Sequence, residues 1–178
     1  MSDAVLRLRG EAFALRPGLD IFTPDAVGIV HGARQIASPN FDARPRDMPI
    51  DLLVVHAISL PPEQFGGPGI EQLFTNSLNP CEHPYYEGIS SLHVSSHLLV
   101  RRTGEVLQFV PTLARAWHAG VSSFAGRERC NDFSIGIELE GSDTQPYEAL
   151  QYWTLADLIA SLARRHPLAD VVGHSDIA

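Results

Sequence analysis

The chain has 178 residues, 44% of them hydrophobic, and a formal net charge of −8; this is enough for one domain with a real core. No apolar run approaches the roughly 20 residues that cross a bilayer, which argues against a membrane partner. Arg101-Arg102, Arg127 with Arg129, and Arg164-Arg165 are scattered pairs, not a nucleic-acid stripe, so nucleic acid is not an expected partner.

Along the chain, the first segment breaks its apolar residues with Arg7, Arg9, Glu11 and Arg16. It therefore lacks the continuous apolar stretch of a secretion signal, and the expected compartment is the cytoplasm. Residues 1–37 are poorly patterned, with Pro17, Gly18, Pro24, Gly28 and Gly32 interrupting short apolar runs; they read as an N-terminal extension. Residues 38–51 carry three prolines and form an irregular approach to the domain proper, residues 38–178.

Leu52-Leu53-Val54-Val55-His56 is a continuous apolar run, the pattern of a strand buried on both faces. It delivers His56 to a loop rich in proline and glycine, where functional groups commonly lie. Ile70, Leu73 and Phe74 suggest a short helix over 70–78. From Leu92 to Val110 the sequence reads as a hairpin turning at Thr103-Gly104, with His93, Ser95 and His97 on one face of its first arm. A strand over 133–140 follows, placing Ile135, Ile137 and Leu139 on one face and Gly136, Glu138 and Glu140 on the other.

The clearest helix spans 146–165, with Asp143 or Thr144 as its cap and Tyr147, Leu150, Leu155, Leu158, Ile159 and Leu162 as its buried stripe. His166 at its end fits a cation facing the helix dipole. A last short strand, 170–174, delivers His174. Strands and one long helix in mixed order predict an α/β domain around a mixed sheet.

Histidine carries the chemical signal: there are eight. Catalytic zinc usually takes three protein ligands and leaves one position for water. His56 and His174, each at a strand's end, suit two of those places. Glu138, a carboxylate inside an apolar strand, suits activation of water, because burial raises its pKa. Glu140 shares its face, and periodicity does not separate the two. Cys81 and Cys130 belong to no CxxC pattern and read as reduced thiols.

The segments LVVHAISLPPEQFGG, NPCEHPYYEGI, HVSSHLLVRRTGEVLQFVP, RAWHAGVSSFAGRERCNDFSIGIELEG and VGHSDIA, in that order, carry a family resemblance. Over residues 38–178 the chain resembles the type 2 amidases, the superfamily of phage T7 lysozyme and the peptidoglycan recognition proteins. Within it, the resemblance is to the cytosolic N-acetyl-anhydromuramyl-L-alanine amidases of cell-wall recycling. It implies a mixed central β-sheet flanked by helices and one Zn2+ in a groove. It implies His56 and His174 as zinc ligands and Glu138 as the catalytic carboxylate. Tyr85, Trp117, His118, Arg129 and Asn131 fall in motifs that line the groove and are expected to bind the muropeptide substrate. His97 reads as structural by the same likeness.

In that family the GHSDIA motif continues into a Pro-x-Arg-Lys-x-Asp-Pro-Gly stretch, whose aspartate is the third zinc ligand and whose lysine stabilises the oxyanion. This sequence stops at Ala178, before both, and Asp176 is not their equivalent. Because the upstream positions are intact, the resemblance implies a truncated amidase with its third ligand beyond Ala178. A muropeptide-binding module without catalysis is the alternative.

Overall fold

In the computed structural model, residues 5–8, 11–14 and 21–178 are described. An eight-stranded sheet organises them. Its strands are Val5–Leu8 (β1), Glu11–Ala14 (β2), Arg34–Gln35 (β3), Leu52–Ile58 (β4), Leu98–Val100 (β5), Val106–Gln108 (β6), Ser134–Glu140 (β7) and Asp170–Gly173 (β8). Their spatial order is β2-β1-β8-β4-β7-β5-β6-β3. The five strands β1, β8, β4, β7 and β5 run parallel, while β2 and β6 run antiparallel to their chain-adjacent partners β1 and β5. The helices are Gly69–Phe74 (α1), Pro84–Glu87 (α2) and Ala149–Arg165 (α3).

The long apolar strands occupy the centre because only there are both faces covered. Odd-numbered residues of β4 and β7, Leu53, Ile135, Ile137 and Leu139, pack in one cluster with Leu158, Ile159 and Leu162 of α3. Even-numbered Leu52 and Val54 face the other way, into a cluster with Ala119, Cys130, Phe133 and Ile177. A third cluster joins α1 to β5 and β6 through Ile70, Leu73, Phe74, Leu99 and Leu107. Both cysteines are free thiols, as read from the sequence.

Several local expectations differ from what is observed. Residues 93–97 are not strand; β5 begins only at Leu98. The polar run there bonds to scattered partners instead of one ladder: the N–H groups of Ser95 and His97 donate to the carbonyls of Trp117 and Gly136 at 3.1 Å each, the Ser95 hydroxyl to the Asn40 carbonyl at 2.6 Å, and the Asn40 amide to the Val94 carbonyl at 2.8 Å. Helix α1 stops at Phe74 because Asn76 adopts a left-handed φ of 58°. Helix α3 starts at Ala149, capped by Glu148 and Gln151 in a reciprocal pair. Neither Asp143 nor Thr144, the two expected caps, takes that place; Thr144 bonds Glu63. Leu150, expected in the buried stripe, is exposed. His166 is buried, with Nε2 at 2.9 Å from the Thr112 hydroxyl. Burial, then Arg44 and Arg165, push its pKa down to about 4, so it is a neutral hydrogen-bonding group and not a cation on the helix dipole.

Residues 1–4, 9–10 and 15–20, including Pro17 and Gly18, lie outside the described residues. Residues 21–37, patterned like an extension, are built into the domain. Phe22 and Val30 are buried in the α3 cluster, Ser161 donates to the Phe22 carbonyl, and β3 pairs with β6. Strand pairs only two residues long leave no periodicity to read.

Candidate active site

Three adjacent parallel strands, β8, β4 and β7, build the site near their carboxyl halves; His56, expected at a strand's exit into a loop, lies inside β4, because pairing with β7 continues that strand to Ile58. The register places Glu138 directly beside His56 and Gly173 beside Val55. One residue further, the chain leaves β8 into a short 3-10 turn that begins with His174. The rings of His56 and His174 lie 4.9 Å apart between centroids. Sequence places these two histidines more than a hundred residues apart; the sheet makes them neighbours.

The two glutamates of β7, inseparable by periodicity, have opposite circumstances. Glu140 is 2% exposed and fully engaged: Arg101 bonds it at 2.7 Å, the Gly66 N–H at 2.7 Å and the Arg102 N–H at 3.2 Å. Glu138 is also buried, yet its Oε2 has no hydrogen-bond partner, and burial pushes its carboxyl up to about 8. A buried, unpartnered carboxyl in a groove is free for chemistry; one held by a guanidinium and two amides is structural.

Burial, and secondarily His174, lower His56 to about 4, so its imidazole is neutral and has a lone pair to offer. Its Nε2 lies 3.0 Å from Nδ1 of His118, whose own pKa is held well below the ordinary range by burial. The loop carrying His118 is fixed by Asn131, whose Oδ1 accepts from the N–H groups of His118 at 3.1 Å and Ala119 at 2.9 Å. Beneath this loop the Arg44 guanidinium donates to the carbonyls of Asn131, Asp132, Thr112 and Ser134. His97 is wholly buried, accepting the Gly136 N–H on Nδ1, in keeping with a structural role.

The groove of about 600 Å³ on this face is lined by Trp117, His118, Asn131, Glu138 and His174, with His93 and Val121 at its sides. Trp117 is half-buried, and its indole N–H has no partner. Tyr85 is exposed on an adjoining depression with Ile58, Leu73 and Ser142. Arg129 does not join them: its side chain is 69% exposed and pairs with Asp132 at 3.3 Å. Ser134, Gly136 and Arg44 support the site and escape sequence reasoning, although a glycine inside an apolar strand is itself a signal of close approach.

For a metal, the donors present are His56 and His174, with the unpartnered Glu138 carboxyl in the same groove. Among the described residues no group of three or more His, Cys, Asp or Glu side chains is placed to hold an ion. The fit is therefore to part of a zinc site: two imidazoles and a nearby carboxyl.

The profile of a family described as N-acetylmuramoyl-L-alanine amidase matches residues 46–178. The 1,6-anhydro-N-acetylmuramyl-L-alanine amidase AmpD of Citrobacter freundii is 56% identical over 148 residues, 82% of this chain and 79% of that protein. The Haemophilus influenzae protein of the same name is 49% identical over 154 residues, 85% of this chain and 84% of that one. The crystal structure of a selenomethionine AmpD derivative superposes with a TM-score of 0.83 at 55% identity, covering 85% of this chain and 86% of that chain.

Proposed function

The chain belongs to the N-acetylmuramoyl-L-alanine amidase family, and from that premise we infer that it hydrolyses the amide joining anhydro-N-acetylmuramic acid to L-alanine in muropeptides, a step of peptidoglycan recycling. The observation that carries the mechanism is the contrast on β7, where Glu140 is held by Arg101 and Glu138 is unpartnered beside His56.

The proposed metal is zinc, with His56 and His174 as the ligands contributed by the described residues. Zinc in such a site supplies Lewis-acid chemistry, acidifying water and polarising a carbonyl. Glu138 is the proposed general base. As the carboxylate it takes a proton from the attacking water, whose oxygen bonds to the lactyl carbonyl carbon. The same carboxyl then returns the proton to the alanine nitrogen as the C–N bond breaks, so no covalent enzyme intermediate is needed. Trp117 and Asn131 are proposed to line the saccharide and peptide path, Trp117 by apolar contact and an indole N–H free to bond substrate. Tyr85, on the adjoining depression, is assigned to the same substrate surface. His118 contacts the groove, but its ring nitrogens face His56 and Ser134, which favours support over substrate contact. Arg129 remains an outer candidate, reached only by an extended substrate.

The proposed compartment is the cytoplasm, by likeness to the anhydro-muramyl branch; among the described residues no helix is long and apolar enough to cross a membrane. The test is release of the alanine-peptide from an anhydro-muramyl-tripeptide by the purified chain, with zinc quantified in the same sample. Turnover that disappears with a chelator and returns with zinc supports the reading. Tight muropeptide binding with no release would assign a binding module instead.

A further inference from the structure

An imidazole binds a cation only through a nitrogen that carries no hydrogen, so a ligand histidine must be held in one tautomer. The hydrogen-bond chain behind His56 determines which. The Ser134 hydroxyl has one hydrogen, and its 2.6 Å bond to the Cys130 carbonyl, which can only accept, uses it. In its 3.2 Å contact with His118 Nε2, Ser134 Oγ is therefore the acceptor. That puts the single hydrogen of neutral His118 on Nε2 and leaves Nδ1 bare. Nδ1 in turn lies 3.0 Å from His56 Nε2, which must donate. The hydrogen of His56 is thus on Nε2, and its Nδ1 lone pair is free.

We propose that His118 is a positioning residue: oriented by Ser134, it locks His56 in the Nε2–H tautomer and so presents His56 Nδ1 as a metal-binding nitrogen. The claim about the metal rests on the zinc reading above; the claim about the tautomer does not. Two further features hold the His118 ring where this requires. A Cβ on Gly136 would lie 2.5 Å from the His118 Cγ, so the ring rests directly on the β7 backbone, a contact only glycine allows. On the other side, the two bonds to Asn131 fix the backbone at His118 and Ala119. Partners that orient a ligand histidine in this way carry a large share of metal affinity, typically about 10–100-fold.

The experiment is long-range ¹H–¹⁵N correlation NMR of the metal-free, ¹⁵N-histidine-labelled chain, followed by zinc titration against a chromophoric chelator. In the unsubstituted chain, His56 and His118 should both show hydrogen on Nε2 only. His118→Phe keeps a ring but removes the acceptor; His56 should then populate both tautomers, and zinc should bind about 10–100-fold more weakly. His118→Asn, which returns an acceptor oxygen near the position of Nδ1, should restore the single His56 tautomer and most of the affinity. Hydrogen on His56 Nδ1 in the unsubstituted chain overturns the proposal, and this needs no variant to fold. So does a folded His118→Phe chain with unchanged tautomer and unchanged zinc affinity. If the unsubstituted chain shows the expected tautomers but binds no zinc, the hydrogen-bond relay stands and the zinc reading falls.

Discussion

Replacing Glu138 with Gln separates the group's cost to the fold from its use in catalysis. Burial raises this carboxyl from an ordinary 4.5 to about 8. The unfolded chain therefore loses the proton near pH 4.5 while the folded chain keeps it until about pH 8. Between those values the native state binds more protons than the unfolded one, so stability falls as pH rises through the window. Below it, the group has no effect. At about 1.4 kcal/mol per unit, the penalty is about 1 kcal/mol at pH 5 and about 3 kcal/mol at pH 7. Glutamine does not titrate, so in metal-free protein Glu138→Gln should match the parent near pH 4.5 and exceed it by about 3 kcal/mol at pH 7. Urea unfolding in the presence of a chelator, repeated from pH 5 to pH 8, measures this. Over the same variant, alanine-peptide release by the zinc-loaded chain should fall by about 10²–10⁴-fold, the usual share of a general base. Parallel stability profiles for the two proteins across that range would refute the assignment of a protonated, buried carboxyl. A stabilised variant with full activity would refute the catalytic role alone.

Glu140→Gln should behave in the opposite way, because it breaks the Arg101 pair that is 7% and 2% exposed at its two ends. Leaving Arg101 short of a partner should cost about 3 kcal/mol in urea unfolding, without the pH signature of Glu138. Gly136→Ala places a methyl 2.5 Å from the His118 ring; it should destabilise the chain by about 1–3 kcal/mol and shift the His118 and His56 ring resonances together. Leu162→Ala, at a wholly buried position of α3, should cost about 2–5 kcal/mol by thermal unfolding while leaving zinc affinity intact.

Much of the sheet is legible in the sequence because its centre obeys simple periodicities. The unbroken apolar run of β4 and the alternation of β7 identify both strands, and the stripe through Leu158 and Leu162 identifies α3. The hairpin turn at Gly104 is equally plain, since its φ of 82° suits glycine. Less is legible where polar groups pair locally. The HVSSH segment alternates like a strand, yet its backbone bonds go to separate partners, the Ser95 N–H donating to the Trp117 carbonyl, the His97 N–H to the Gly136 carbonyl, and the Val94 carbonyl accepting from the Asn40 amide. His166 sits at a helix end like a surface cation, but the Thr112 contact and the surrounding core make it neutral. The short pairings of residues 21–37 have no period at all.

The chain's own residues determine which groups could act: a histidine in one apolar run, another just after a second, and glutamates inside a third are local facts, fixed by residue type and spacing. Which of them act together is decided by register between strands that are distant in sequence. That register sets Glu138 beside His56 and lets Arg101 occupy Glu140, and the loop packed on Gly136 brings His118 into one directed line of hydrogen bonds with Ser134 and His56. Desolvation and hydrogen-bond direction depend on every neighbour at once, so they exist only after the chain has folded.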